Sequence, residues 1–259
     1  MRILLTNDDG IHAQGLQLLK EALEPLCELW VVAPSSQQSA TSHSLTLGTI
    51  LRRRKWSERV YSVHGTPADS VLMGVNGLLK GREPDLVISG VNHGPNMGED
   101  VHYSGTVAAA IEGAILGVPS VAISIASFRD QNFASAVRFM AETVRDHPER
   151  LTGPGTLLNI NVPNLPWEGI RGVSVTRLGS RYYGDVIIKK QDPRGHEYFW
   201  IGGEEPTWAE GDDTDFHAVH TMRRISVTPL KLDFTDRDRI ASMAAWSRTF
   251  QRDEADSRR

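Results

Sequence analysis

The chain has 259 residues, 40% of them apolar and 23% charged, and a net charge of −4. This is ordinary for a globular protein with a sizeable core and gives no ground for a stable nucleic-acid complex or binding to an anionic membrane. Cys27 is the sole cysteine, so no intrachain disulfide can form, and no apolar run reaches the roughly 18 residues of a membrane span.

The first half alternates strand-like and helix-like stretches. Arg2 to Thr6 is a short apolar strand, and Gly15 to Leu26 carries Leu16, Leu19, Leu23 and Leu26 at helical spacing, ending near Pro25. Strands are expected at Leu29 to Ala33, Val60 to Val63, Asp85 to Ser89, Val118 to Ile125 and Leu157 to Val162. Helices are expected at Pro67 to Val75, Ser104 to Leu116 and Phe133 to Val144. The basic run Arg52 to Lys55 reads as a solvated loop or strand end. Such alternation implies parallel strands joined by helical crossovers, and the uninterrupted apolar strands imply burial on both faces. The expected fold is α/β: a three-layer, Rossmann-like, doubly wound, mostly parallel sheet over residues 1–168.

Beyond residue 168 the texture turns β-rich. Val173 to Thr176, Val186 to Ile188 and Tyr198 to Ile201 are strand-like, separated by Gly184, by Pro193-Arg194-Gly195 and by Gly202-Gly203. A hairpin is marginal alone, so a β-rich extension over 169–234 that packs on a partner subunit is expected, with a hairpin folded back on its own domain as the alternative. Asp236 to Phe250 has helical character, and the charged residues 251–259 are expected to fray.

Several segments carry polar residues that strand logic does not require. Asp8 and Asp9 stand directly after the first strand and before Gly10, at the end of a strand where open α/β sheets keep ligands. Adjacent acids repel, and an oxygen-ligated hard cation such as Mg²⁺ or Mn²⁺ would offset this; capping of the following helix is the alternative. The hydroxyl-rich run Ser35 to Ser44, with Ser39 inside it, is either a flexible loop or a source of ligands. In the run Ser89 to Asp100, Asn92 can offer a carbonyl oxygen to a metal and Asn96 an amide N–H to an anion, or both serve turn geometry. Ser104, Gly105 and Thr106 open a helix of small residues, a start suited to phosphate, although Ser104 can equally be a plain N-cap. His64 to Asp69 is a weaker element of the same kind. Zinc spacing, a P-loop and a Gly-x-Ser-x-Gly elbow are all absent.

Taken together, Ile3 to Gly10, Val32-Ala33-Pro34 with Ser39, Gly65 to Asp69, Ser89 to Gly98, Tyr103 to Ala110, Asp192 to Gly195, Thr214-Asp215 and Ser226 to Leu230 resemble the SurE family of metal-dependent nucleoside monophosphate phosphatases. The resemblance spans about residues 1–234. It implies a 5′-nucleotidase, with 3′-nucleotidase and exopolyphosphatase activities as further options, acting through a metal-activated water. It further implies one divalent cation (Mg²⁺ or Mn²⁺) per subunit, held by Asp8, Asp9, Ser39 and Asn92, and a phosphate surrounded by Asn96, Ser104, Gly105 and Thr106. Asp8, Asp9 and Asn96 would then be catalytic. Homodimers or homotetramers with an exchanged C-terminal extension are implied too. Where the family commonly has charges after Ala-Pro, this chain has Ser35-Ser36-Gln37-Gln38. A non-catalytic nucleotide-binding module and an aspartyl-nucleophile phosphatase are the rival readings. A cytoplasmic location is expected from the single cysteine and from an N-terminus without a charged-then-apolar leader.

Overall fold

The computed structural model describes residues 1–182, 187–201, 207–209 and 211–250. The expected turns at Gly184 and Gly202-Gly203, the start of the run at Val186 and the tail 251–259 lie outside the described residues.

In chain order the elements are β1 (Arg2–Thr6), α1 (Gln14–Leu23), β2 (Glu28–Pro34), β3 (Arg52–Ser57), β4 (Val60–His64), α2 (Pro67–Leu72), β5 (Leu86–His93), α3 (Gly105–Ile115), β6 (Ser120–Ala126), α4 (Ala134–Asp146) and β7 (Leu157–Pro163). They are followed by β8 (Val173–Val175), β9 (Arg181–Tyr182), β10 (Ile187–Gln191), β11 (Glu197–Ile201), β12 (Thr207–Trp208), β13 (Ile225–Pro229) and α5 (Arg237–Ser247). The main sheet runs β3-β4-β2-β1-β5-β6-β7-β13-β8. It is parallel from β4 through β7, and β3 and β13 pair antiparallel with β4 and β7.

Burial on both faces explains the continuous apolar strands. Within β1, Ile3 and Leu5 face a cluster with Leu16 and Leu19 of α1 and Met140 of α4, whereas Leu4 faces Val71, Val75 and Ala109 on the α2 and α3 side. Complete burial of these leucines is worth about 1.5–3 kcal/mol each. Cys27 packs against the first cluster, and burial pushes its thiol up to about 11, which leaves it inert as a nucleophile.

Element ends differ from the sequence expectation where polar side chains intervene. Thr66 caps α2 in a reciprocal box with Asp69: its hydroxyl accepts from the Asp69 N–H (3.1 Å) and its own N–H donates to Asp69 Oδ2 (2.8 Å). The basic run 52–55 belongs to β3, an exposed edge strand whose charges guard the open side of the sheet. β5 extends to His93 through a register shift between Ser89 and Asn92. Gly90 permits it: a Cβ there would come within 2.2 Å of the Ile123 carbonyl oxygen, and its φ is +141°.

The sheet does not stop at residue 168. β8 and β13 join it, so within 169–234 the part standing apart from it is the antiparallel hairpin β10–β11 and the short pair β9–β12. Buried Asp215 ties this region to the core. Its carboxylate accepts N–H groups of Gly98 (2.9 Å), Gly179 (2.8 Å) and Phe216 (2.8 Å), while burial pushes its pKa up. Among the described residues, no helix is long and apolar enough to cross a membrane.

The topology fixes where a ligand binds. From β1 the chain moves outward through β2 and β4, then returns to β5 on the other flank of β1 and continues through β6 and β7. The strand order therefore reverses between β1 and β5, and the crevice at their carboxyl ends is the expected site. The loop after β1 carries Asp8 and Asp9, and the carboxyl end of β5 carries Asn92.

Candidate active site

A pocket of about 560 Å³ opens at that crevice, lined by Asp8, Asp9, Ser39, Ala40, Asn92, His93, Pro95, Asn96, Asp100, Tyr103, Ser104, Phe128, Arg181 and Ile201. All four residues expected to hold a metal line it, together with Asn96 and Ser104. A larger, mainly apolar groove of about 880 Å³ runs along α3 beside Leu157, Leu230 and Phe234. It shares only Ser104 with the first pocket and has no carboxylate on its walls.

Each wall is held by hydrogen bonds from below. Asn7 closes the tip of β1: its Nδ2 donates to the Gly10 carbonyl (3.0 Å) and its Oδ1 accepts the Gly10 N–H (3.2 Å). Asp8 is buried against the first turn of α3. Its Oδ1 accepts the Thr106 hydroxyl, and the Thr106 backbone N–H also reaches the carboxylate. Gly105 makes room for it, since an added Cβ would lie 2.8 Å from Asp8 Cβ and 3.1 Å from the Gln38 carbonyl oxygen. The Thr106 N–H at the helix start thus addresses Asp8, and neither Gly105 nor Thr106 is among the residues lining the pocket. Thr106 is fully buried, with its hydroxyl engaged by Asp8. Ser104 is the N-cap, its hydroxyl accepting the Val107 N–H (3.1 Å), and it still faces the pocket.

Asp9 Oδ2 accepts the His93 backbone N–H (3.1 Å), which ties β1 to the bulged end of β5. Asn92 Nδ2 donates to the Gly94 carbonyl (2.8 Å), leaving its side-chain oxygen as the donor available to a cation. The loop with Ser39 is laced down at several points. The Gln38 N–H donates to the Asp8 carbonyl (2.7 Å), the Ser42 hydroxyl to the His102 carbonyl (2.7 Å), and the Thr46 N–H to Asp69 Oδ1 (2.9 Å). His43 Nε2 meets the buried Glu112 Oε2 of α3 at 2.8 Å. This run is therefore an anchored loop.

Asn96 is fixed by groups that the sequence reading passed over. Its N–H donates to Asn161 Oδ1 (2.8 Å), its carbonyl accepts Asn159 Nδ2 (2.7 Å) and Asn161 Nδ2 (2.9 Å), and its own Nδ2 donates to Ser124 Oγ (2.8 Å). All three partners are fully buried in β6 and β7. The available signal was two asparagines at i and i+2 in the apolar run Leu157 to Val162, polar groups that burial alone would disfavour. Arg181 and Phe128, also on the wall, were not singled out either. Arg181 pairs with Asp100, and its backbone N–H donates to Glu99 Oε2 (2.5 Å).

The electrostatics of the acids suit a cation. Burial, aided by the Asp9 charge and opposed by Thr106, pushes Asp8 up to about 7. Burial also raises Asp9, against the influence of His93. Among the described residues no three His, Cys, Asp or Glu side chains gather as a metal cluster. A cation here would have two carboxylates and the neutral oxygens of Ser39 and Asn92, an all-oxygen set that fits hard ions of the Mg²⁺ or Mn²⁺ type.

Residues 3–185 match the family described as Survival protein SurE. A protein named 5′-nucleotidase SurE from Vibrio cholerae serotype O1 is 47% identical over 95% of this chain and 97% of its own length. One of the same name from Gemmatimonas aurantiaca is 50% identical over 95% and 98%. The crystal structure of the SurE protein from Aquifex aeolicus superposes with a TM-score of 0.86 at 41% identity, covering 95% of this chain and all of that one.

Because Asp8 titrates higher when folded than its ordinary 3.8, the folded chain retains a proton that the unfolded chain has lost. Its contribution therefore lowers the stability of the metal-free protein as pH rises from about 4 to 7, with no further change above. Asp8→Asn should flatten that slope, by at most about 4 kcal/mol. Urea unfolding in chelator at a series of pH values checks this; an unchanged slope would contradict the burial argument.

Proposed function

The chain belongs to the SurE family, and from that premise we infer that it is a 5′-nucleotidase, a phosphomonoesterase that releases phosphate from nucleoside monophosphates with the help of a divalent cation. The observation that carries this reading is the convergence of Asp8, Asp9, Ser39, Asn92, Asn96 and Ser104 on one pocket at the β1–β5 reversal. The names of the relatives support the activity and do not favour a non-catalytic module or an aspartyl-nucleophile enzyme.

In this reading Asp8, Asp9, Ser39 and Asn92 hold one Mg²⁺ or Mn²⁺ per subunit. When bound, that cation supplies charge neutralisation and Lewis acidity toward a phosphoryl oxygen and a water. The protein does the rest. Asn96, immobilised by Asn159, Asn161 and Ser124, presents its amide edge to the phosphoryl oxygens. Ser104 offers its hydroxyl from the start of α3. Thr106 and Gly105 act one step back, by orienting Asp8 and leaving it space. Asp9, the more accessible acid, takes the proton of the attacking water at Oδ1. The water oxygen bonds to phosphorus as the phosphorus–oxygen bond to the nucleoside breaks, and the nucleoside oxygen leaves with the proton that Asp9 took from the water. A reducing compartment, hence the cytoplasm, suits the free Cys27.

We assign self-association to the hairpin β10–β11 and to α5. Ile187, Phe199, Trp200 and Ile201 on the first, and Ile240, Met243 and Trp246 on the second, are exposed. Apolar display on this scale is characteristic of subunit contacts.

Phosphate release from the common nucleoside monophosphates, crossed with Mg²⁺, Mn²⁺ and a chelator, tests the activity. Release should require the cation, and Asp8→Asn and Asp9→Asn should each lower kcat/KM at least about a hundredfold. Near-wild-type turnover in both variants would reject the ligand assignment. For the assembly, Trp200→Asp should reduce the mass seen by light scattering toward that of one chain. An unchanged oligomer, or a monomeric parent protein, would remove the interface from this hairpin.

A further inference from the structure

We propose that Tyr103 and Phe128 form the platform on which the nucleoside of the substrate stacks; this deepens, and rests on, the nucleotidase reading. Both line the pocket with the paired acids, and both are largely exposed, Tyr103 at 63% and Phe128 at 68%. Among the described residues neither ring stacks on another ring. Two large aromatic faces left to solvent at the mouth of a polar pocket are costly to display without a ligand.

Their placement matches the span of a nucleotide. Tyr103 directly precedes Ser104, the cap of α3 that faces the phosphate position. Its backbone is fixed on both sides, with its N–H donating to the Asp100 carbonyl (3.0 Å) and its carbonyl accepting the Ser42 N–H (3.1 Å). Phe128 follows β6 and lies on Gly94, where an added Cβ would come within 2.6 Å of Phe128 Cε1. Gly94 is two residues before Asn96. Each ring is thus tethered within a few residues of a group assigned to the phosphate, as a base one ribose away would require. A pocket of about 560 Å³ accommodates the whole ligand.

The surroundings also say what kind of recognition this is. Asp100 and Arg181, charged residues of the same pocket wall, are paired with each other. Stacking, which every base supports, is then the main source of binding to the nucleoside. The ligand class is therefore a nucleoside monophosphate of broad base tolerance, with phosphomonoesters lacking a planar ring at a disadvantage.

The test compares kcat/KM for AMP and UMP with that for glycerol 2-phosphate in the parent protein, Tyr103→Ala, Phe128→Ala, Tyr103→Phe and Phe128→Trp, with Mn²⁺ saturating. Each alanine variant should lower the ratio of nucleotide to glycerol phosphate by about tenfold or more, chiefly through KM for the nucleotide. The aromatic replacements should hold the ratio within about twofold, because the π-face is kept. An unchanged ratio in both alanine variants of an active enzyme would overturn the platform alone. So would a change of oligomeric state with the ratio preserved, which would make the rings a subunit contact. A parent protein that cleaves glycerol phosphate but no nucleotide would instead overturn the nucleotidase reading itself.

Discussion

Two carboxylates side by side at the tip of a central strand set the terms for the rest of this molecule. Asp8 is buried, its pKa is driven up to about 7, and Asp9 adds to the cost of ionising it. A chain that keeps such a pair must supply compensation. Part of it is internal: the Thr106 hydroxyl and backbone N–H reach Asp8, and the His93 N–H reaches Asp9. On the function proposed above, a divalent cation supplies the remainder, with Ser39 and Asn92 as its neutral oxygen ligands. In this light α3 has a double part, since its first turn orients an acid while its cap, Ser104, lines the pocket.

The polar interior of the fold follows from the same demand. Loops that must present oxygens within a few tenths of an ångström need fixed footings. Asn159 and Asn161 hold Asn96, Asp215 holds Gly98, Asp69 holds Thr46, and Glu112 holds His43. Each is a buried polar side chain aimed at a loop that borders the pocket, and each would weaken a fold built for stability alone. Such groups are tolerated because they are hydrogen-bonded, and what they secure is the geometry of a nucleotidase site on an otherwise apolar three-layer core.

Much of this was legible in the sequence, for reasons that can be named. Continuous apolar runs such as Leu86-Val87-Ile88 separated by amphipathic segments dictate a parallel sheet with helical crossovers, and the polar clusters after β1 and β5 fall where such a sheet keeps its ligands. The edge strand β3 was obscured because Arg52, Arg53, Arg54 and Lys55 have the chemistry of a strand guarded by charge and no apolar face to reveal it. The membership of β8 and β13 in the main sheet was hidden because a strand added across a chain reversal leaves no periodicity that names its neighbour. The bond from Thr106 to Asp8 was hidden because a helix start with a hydroxyl looks the same from sequence whether its partner is an anion in solution or an aspartate of the same chain. Asn159 and Asn161 were invisible as supports since their significance depends on Asn96, over sixty residues away.

The central claim is that oxygens from two loops and the end of β5 close on one cation at the β1–β5 reversal. Diffraction at the manganese absorption edge from crystals grown with Mn²⁺ measures this directly. The account predicts a single anomalous peak per chain, within about 2.0–2.6 Å of oxygens from Asp8, Asp9, Ser39 and Asn92. A peak elsewhere in the chain, or none at this pocket in crystals of an enzyme active with Mn²⁺, would contradict it.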